Sequence, residues 1–145
     1  MDFNHFLTSY MPDTSIGSRQ HFKNMLEECV TAEKLGYATV SIPEHHLINL
    51  LMMPSPLQMA VKIASVTKNI KITTGIVVLP LHDMRTYAGE VATADILTDG
   101  RLILGVGRGA FPWEMKRLGT PIEKSKEKFV ESLKVLQLLL KNKEV

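Results

Sequence analysis

The sequence contains a single cysteine, and this scarcity excludes two classes of protein. With only Cys29 among 145 residues, neither a disulfide framework nor a cysteine-based zinc or iron–sulfur site is expected. A large charge excess is also absent, because 17 lysine and arginine residues face 15 aspartate and glutamate residues. This balance gives no electrostatic reason to expect binding to nucleic acid or to an anionic membrane surface.

Long hydrophobic runs are missing as well. The longest, at 76–81, has six residues, whereas a membrane-spanning helix needs roughly 20. The first residues include acidic side chains and no extended apolar stretch, which is not the pattern of a secretory signal. We therefore expect a soluble, cytoplasmic protein that forms one domain over residues 1–145.

Two kinds of apolar segment alternate along the chain. Runs rich in β-branched and aromatic residues predict strands, and segments with apolar residues three or four positions apart predict helices. The predicted strands span 3–10, 37–42, 70–79 and 102–106, and the predicted helices span 20–35, 55–67, 85–98 and 124–141. This order predicts an α/β fold with a parallel sheet and helical crossovers.

Some side chains have predicted structural roles in this fold. Ser55 precedes a proline and is expected to cap the second helix. Asp95, on the third helix, is expected to be buried and paired with Arg101. The predicted inner stripe of the last helix consists of Phe129, Leu133, Leu136 and Leu140. Small residues on the second and third helices permit close packing, either within the chain or between two copies.

Polar and ionisable residues gather where the predicted strands end. Glu44, His45 and His46 follow the second strand, His82 follows the third, and Gly107-Arg108-Gly109 follows the fourth. Ligands of parallel α/β folds bind at the carboxyl ends of the strands. We therefore expect the functional site at this edge. The residues expected to line its substrate pocket are Glu44, His46, His82 and Gly107.

The Glu44-His45-His46 triplet allows three interpretations. Neighbouring side chains that leave a strand point to opposite sides, so one histidine faces a pocket, where it can serve as general acid or base, and the other orients it. Alternatively, both histidines bond to the backbone of a loop. A metal-dependent hydrolase would use these residues with His82 as ligands. Adjacent histidines bind one metal awkwardly and HExxH spacing is absent, so we predict no metal.

The glycine-rich segment 105–110 fits the pattern G-x-G-x-x-A. A dinucleotide-binding fold is nevertheless not favoured, because Phe111 and Pro112 delay the following helix and no acidic residue follows at a strand end. Arg108 instead offers a planar cation, which would pair either with a phosphate or with a surface carboxylate.

An ordered series of motifs resembles the luciferase-like flavin monooxygenases, the superfamily of bacterial luciferase. The matching segments are 3–7, 32–37, 43–46, 73–82, 88–95, 99–102, 105–109 and 118–120, followed by Glu131 in the last helix. Each motif is weak alone, but the ordered set covers nearly the whole chain. The resemblance implies a TIM-barrel-type fold. A complete barrel needs about 250 residues, so this chain would carry only the first four βα units, a half barrel.

The resemblance also implies a chemistry. Reduced FMN would be the bound co-substrate, and it would activate oxygen as a flavin peroxide that oxidises an aldehyde or similar small organic substrate. By the same match, His45 would be catalytic, Arg108 would contact the flavin phosphate, and Gly75–Ile76 would be a cis peptide bond beneath the flavin ring. Members of the family dimerise through the second and third helices, which implies a homo-oligomer.

Gly107 stands where bacterial luciferase has a pocket-facing cysteine, which argues against light emission. Relatives with this architecture use a deazaflavin instead of FMN, so a deazaflavin-dependent oxidoreductase is an alternative. A half barrel leaves an apolar inner face and two strand edges uncovered, and we expect a second copy or the missing C-terminal half to cover them. A non-catalytic association module is the remaining alternative.

Overall fold

The computed structural model describes residues 1–49 and 51–141, in which short strands alternate with helices. The strands are β1 (Asn4–Phe6), β2 (Thr39–Ile42), β3 (Lys71–Thr74), β4 (Val77–Val78), β5 (Leu102–Ile103) and β6 (Val106–Gly107). The helices are α1 (Gly17–Lys34), α2 (Pro56–Ala64), α3 (Met84–Leu97), α4 (Pro112–Arg117) and α5 (Ser125–Lys141).

All strand pairings among the described residues are parallel. One sheet has the order β1-β2-β3-β5, and β4 pairs separately with β6. In this register Val40 lies opposite Ile72, which in turn lies opposite Leu102. The predicted α/β fold with parallel strands and helical crossovers is confirmed.

The third and fourth predicted strands are each divided in two. Residues Gly75 and Ile76 separate β3 from β4 and are joined by a cis peptide bond, as the family resemblance implies. The Gly105 carbonyl, between β5 and β6, accepts hydrogen bonds from the Val77 amide at 2.9 Å and the Thr74 hydroxyl at 2.8 Å. The prediction of two unbroken strands was wrong. The apolar composition continues through both breaks, so the sequence pattern did not reveal them.

The ends of the helices follow local signals with one exception. Gly36 has φ +81° just after α1, a conformation that glycine adopts without strain. Asp83 caps α3 by accepting a hydrogen bond from the Arg85 amide at 3.0 Å. Proline opens α2 as predicted, but the Ser55 side chain makes no capping hydrogen bond, so that part of the prediction was wrong.

Two further structural predictions were wrong. Asp95 is exposed, whereas Arg101 is buried and donates hydrogen bonds to the Ala64 and Thr98 carbonyls and to the Thr67 hydroxyl. Backbone carbonyls at the ends of α2 and α3 therefore replace the expected carboxylate. In α5, Leu140 is exposed and Leu139 packs on the core instead. Positions three and four residues after Leu136 both lie on its side of the helix, so spacing alone does not decide between them.

The helices cover one face of the sheet and leave the other open. Val40 and Ile72 are fully buried under the helices, and their row in the register continues to Leu102. Successive side chains of a strand point to opposite faces, so the adjacent row, which includes Phe6 and Ile103, points away from the helices. These two side chains are 53% and 45% exposed, as expected for the inner wall of an incomplete barrel.

Candidate active site

A cavity of about 300 Å³ lies at the carboxyl end of the strands. It is where five of the residues singled out in the sequence meet, and these are Glu44, His45, Gly75, Ile76 and Arg108. The remaining lining residues are Phe6, Pro43, Val78, Gly109, Ala110, Phe111, Glu114 and Met115. Parallel strands bring their carboxyl ends to one edge, so segments far apart in the sequence contribute to the same wall.

Glu44 is the central polar group beneath this cavity and is only 3% exposed. Its Oε1 atom accepts hydrogen bonds from His46 Nε2 at 2.6 Å and His82 Nε2 at 2.7 Å. Its Oε2 atom accepts one from the Val78 amide at 2.6 Å. Burial alone would raise the pKa of Glu44, but the bonds from His46, His82 and Val78 outweigh it and hold that pKa below the ordinary value. Glu44 is therefore a carboxylate at neutral pH.

His46 and His82 serve as partners of Glu44 and do not line the cavity. Two charge-assisted bonds to one buried oxygen hold both rings at Glu44, and their expected place in the substrate pocket stays a prediction. The bond to Glu44 raises the pKa of His46, against the opposing effect of burial. His82 packs on the Tyr87 ring, with 4.3 Å between centroids.

His45 is the histidine of the pair that reaches the cavity, which agrees with the alternation expected at a strand end. Its ring stands edge-on to Phe111, with centroids 5.2 Å apart and planes at 79°. Its Nδ1 atom is buried and has no hydrogen-bond partner among the described residues. The nearest carboxylate oxygen, Glu114 Oε2, lies 3.7 Å away.

Glu114 is the site residue that the sequence analysis missed. It lies in the first turn of α4 and is 4% exposed, and its Oε1 atom accepts a hydrogen bond from the His46 amide. The helix α4 was not predicted either. A signal was present, since Pro112 followed by Glu114 is typical of the first turn of a helix.

Gly107 and Arg108 have different surroundings, although they are neighbours. Gly107 does not line the cavity, because the Ile76 side chain lies over it; a Cβ at Gly107 would be 2.5 Å from Ile76 Cδ1. The expectation that Gly107 belongs to the wall of the complete substrate pocket stays a prediction. Arg108 is exposed at the rim and forms no ion pair with any residue in the described ranges.

A second and larger concavity of about 900 Å³ runs between α2 and α3. The residues that line it include Leu57, Val61, Tyr87, Ala94 and Leu97. The small residues Ala60, Ala64 and Ala88 are buried within the chain. At least these members of the small-residue stripe therefore serve the packing of one copy.

Within residues 1–49 and 51–141, no cluster of three or more histidine, cysteine, aspartate or glutamate side chains is arranged to hold a metal ion. None of the helices in the same ranges is long and apolar enough to span a membrane.

Comparison with known proteins places this geometry in a family. The sequence profile described as luciferase-like monooxygenase matches residues 1–145. The chain is 35% identical over 100 residues to the oxygenase component of flavin-dependent trigonelline monooxygenase from Acinetobacter baylyi. The matched segment covers 69% of this chain and 28% of that protein.

Solved structures agree with the sequence match. Monooxygenase RslO1 from Streptomyces bottropensis has a TM-score of 0.91 and 26% identity, over 100% of this chain and 44% of that one. A second similar structure is the oxygenating constituent of 3,6-diketocamphane monooxygenase from Pseudomonas putida, a type II Baeyer–Villiger monooxygenase in complex with FMN. The TM-score is 0.86 and the identity 25%, and the match covers 94% of this chain and 38% of that one. The chain thus spans less than half the length of these relatives.

Proposed function

The chain belongs to the luciferase-like monooxygenase family, and from this premise we propose that it supplies the His45-bearing half of the active site of an FMN-dependent monooxygenase. The substrate proposed is an aldehyde or similar small organic molecule, oxidised by molecular oxygen in the cytoplasm. The observation that carries the proposal is the convergence of His45, Ile76 and Arg108 on one cavity.

The residues around the cavity fit a reduced flavin. Ile76, Val78, Phe111 and Met115 give it apolar walls, which suit a planar ring system and limit the access of water. Arg108 stands at the rim with no carboxylate partner among the described residues, so its guanidinium is available to a phosphate. When bound, reduced FMN supplies the electrons that activate molecular oxygen.

The chain's own polar groups would handle protons and orientation. His45 lies at the cavity wall, and its imidazole can serve as a general acid or base. Glu44 keeps its charge because His46, His82 and the Val78 amide all bond to it. It therefore joins the segment that carries His45 to β4, whose Val78 also lines the cavity.

We expect catalysis to require a completed barrel. Phe6 and Ile103, at the two ends of the open row, are apolar and exposed, and they lie on β1 and β5, the edges of the described sheet. We propose that a C-terminal half or a second copy covers this face, and that two copies also associate through the groove between α2 and α3. Light scattering tests association, and a monodisperse, well-folded monomer would contradict it.

A flavin titration tests the cofactor assignment. The chain is titrated with FMN, with reduced FMN under anaerobic conditions and with a deazaflavin, and binding is followed by the flavin's absorbance and fluorescence. Removal of a charge-assisted phosphate contact in Arg108→Gln is expected to weaken FMN binding about tenfold, equivalent to about 1.4 kcal/mol. Arg117→Gln is the matched control, since Arg117 instead stacks 5.0 Å from the Trp113 ring centroid. Binding of the deazaflavin alone would favour the alternative oxidoreductase, and binding of neither would favour an association module.

Substitution of His45 tests the catalytic assignment. In the assembly that completes the barrel, His45→Ala is expected to lower turnover about 10²- to 10⁴-fold, the usual contribution of a general acid or base. The control is His5→Ala, because His5 pairs with Glu28 on α1 and does not line the cavity. Unchanged turnover in His45→Ala would show that another group moves the proton.

A further inference from the structure

We propose that Glu114 is the positioning residue of His45. Its carboxylate selects the neutral tautomer in which Nδ1 carries the proton and leaves Nε2 available to the cavity. The tautomer assignment stands on the geometry of this chain, and only its catalytic consequence rests on the function proposed above.

The buried Nδ1 atom of His45 needs a partner, and one candidate is in place. A buried polar atom without a hydrogen bond costs about 1–3 kcal/mol, and Nδ1 is such an atom. Glu114 Oε2 lies 3.7 Å from it, beyond hydrogen-bond length. A small rotation of the Glu114 carboxyl would bring Oε2 to hydrogen-bond length and would satisfy Nδ1 in the ligand-free chain.

Glu44, the other buried carboxylate of the site, is already saturated. Both of its oxygens accept hydrogen bonds, Oε1 from two imidazoles and Oε2 from the Val78 amide. Glu114 differs because, among the described residues, only its Oε1 atom accepts a hydrogen bond, from the His46 amide. The His46 bond anchors the carboxyl group and directs the second oxygen towards His45.

The same turn of the chain also sets the plane of the His45 ring. Phe111 precedes α4 and Glu114 lies in its first turn, so one short segment supplies both the aromatic contact and the carboxylate. The His45 side chain is 18% exposed, and Nε2 is not among the buried atoms that lack partners. Because the bond at one ring nitrogen decides which nitrogen is protonated, the Glu114 contact would leave Nε2 unprotonated at the cavity.

Imidazole NMR of the ¹⁵N-labelled chain tests the tautomer without flavin or substrate. Long-range ¹H–¹⁵N correlations at a pH where the ring is neutral distinguish protonated Nδ1 from protonated Nε2, and the signals lost in His45→Gln identify His45. We expect Nδ1 to be the protonated nitrogen in the wild-type chain. Protonated Nε2 in that spectrum would overturn the proposal, whatever the behaviour of the variants.

Two substitutions separate positioning from folding. Glu114→Leu is expected to release His45 into a mixture of tautomers. Glu114→Gln is expected to favour protonated Nε2, because its single carbonyl oxygen accepts from the His46 amide and its NH2 group then faces Nδ1. Glu123→Leu is the control, because Glu123 is exposed in the neighbouring 3-10 turn. An unchanged His45 tautomer in folded Glu114→Leu would refute the proposal.

Turnover provides a separate readout in the assembly that completes the barrel. Glu114→Leu is expected to lower kcat by less than the loss of His45 itself does, that is by less than about 10²- to 10⁴-fold, while the KM for flavin changes little. If FMN fails to bind the wild-type assembly, the proposed function is wrong and the NMR result still decides the role of Glu114. A large rise in KM with unchanged kcat would assign Glu114 to binding and contradict a positioning role.

Discussion

Removal of the buried Glu44 carboxylate is the perturbation with the largest expected effect on stability. The structure assigns three hydrogen bonds to it, two from imidazoles and one from the Val78 amide. Breaking a buried charged pair by removing one partner typically costs about 3–5 kcal/mol, and we expect that loss in the free energy of unfolding of Glu44→Ala. Glu44→Gln keeps an acceptor for Val78 and is expected to lose about 1–2 kcal/mol.

The pH dependence of stability gives the same contact a second signature. The pKa of Glu44 is lowered in the folded chain, so its contribution is fully present above the ordinary glutamate value of about 4.3 and is lost as the pH falls through the lowered pKa. The pKa of His46 is raised, so its contribution is fully present below about pH 6.5 and is lost as the pH rises through the raised pKa. The pair therefore stabilises the fold most between about pH 5 and 6.5.

Urea unfolding at pH values below, within and above this range measures both effects. Glu44→Ala should flatten the two limbs of the stability profile, whereas Glu131→Ala, at an exposed position of α5, should stay within about 0.5 kcal/mol of wild type. If Glu44→Ala unfolds within about 0.5 kcal/mol of the wild-type chain and keeps its pH profile, the bonds assigned to Glu44 do not stabilise the fold.

Three smaller effects follow from single sites. Gly109 has φ +82°, and a Cβ there would lie 2.6 Å from Met115 Sδ and 2.9 Å from Val78 Cγ1, so Gly109→Ala should destabilise by at least about 1–2 kcal/mol in urea unfolding. Gly107→Ala should cost less, because the Gly107 backbone is not left-handed and its Cβ would meet only the Ile76 side chain; the reverse order would contradict this reasoning. Burial opposes the charge of Glu33, but hydrogen bonds from three backbone amides outweigh it and lower the pKa of Glu33. Wild type should therefore lose the stability that these bonds contribute as the pH falls through the lowered pKa, and Glu33→Gln should lack that part of the acid dependence. An unchanged acid dependence of the free energy of unfolding in Glu33→Gln would contradict this prediction. Burial raises the pKa of Cys29 to about 12, so at pH 8 only about one thiol in 10⁴ is ionised; the native chain should react with a thiol reagent only at its unfolding rate, and rapid labelling would show that the thiol is accessible.

The order of elements was predictable because it depends on local patterns. Apolar spacing and turn residues gave the four βα units, and the motifs gave the family, before any contact was known. The gathering of Glu44, His45 and Arg108 at one edge also followed, since parallel strands end on the same side of a sheet. The family resemblance, and not periodicity, predicted the cis bond at Gly75–Ile76 that the structure contains.

Composition could not predict the partners of buried polar groups. Arg101 was expected to pair with Asp95, its nearest acidic residue in the third helix, but it bonds to the Ala64 carbonyl, 37 residues away. His82 and Glu44 are 38 residues apart. Such pairs form because a buried donor bonds to the acceptor that packing places beside it. The residues next to either partner in the sequence do not indicate which acceptor that will be.

By itself, the sequence determined the alternation of strands and helices, the edge at which polar residues collect and the family to which the chain belongs. Only the tertiary structure decided that His45 reaches the cavity, that His46 and His82 bond to Glu44, and that Glu114 lies beside the buried nitrogen of His45. Local patterns fix elements because backbone geometry repeats every two or 3.6 residues. A carboxylate 68 residues beyond His46 comes to the site only when α4 packs over the ends of the strands.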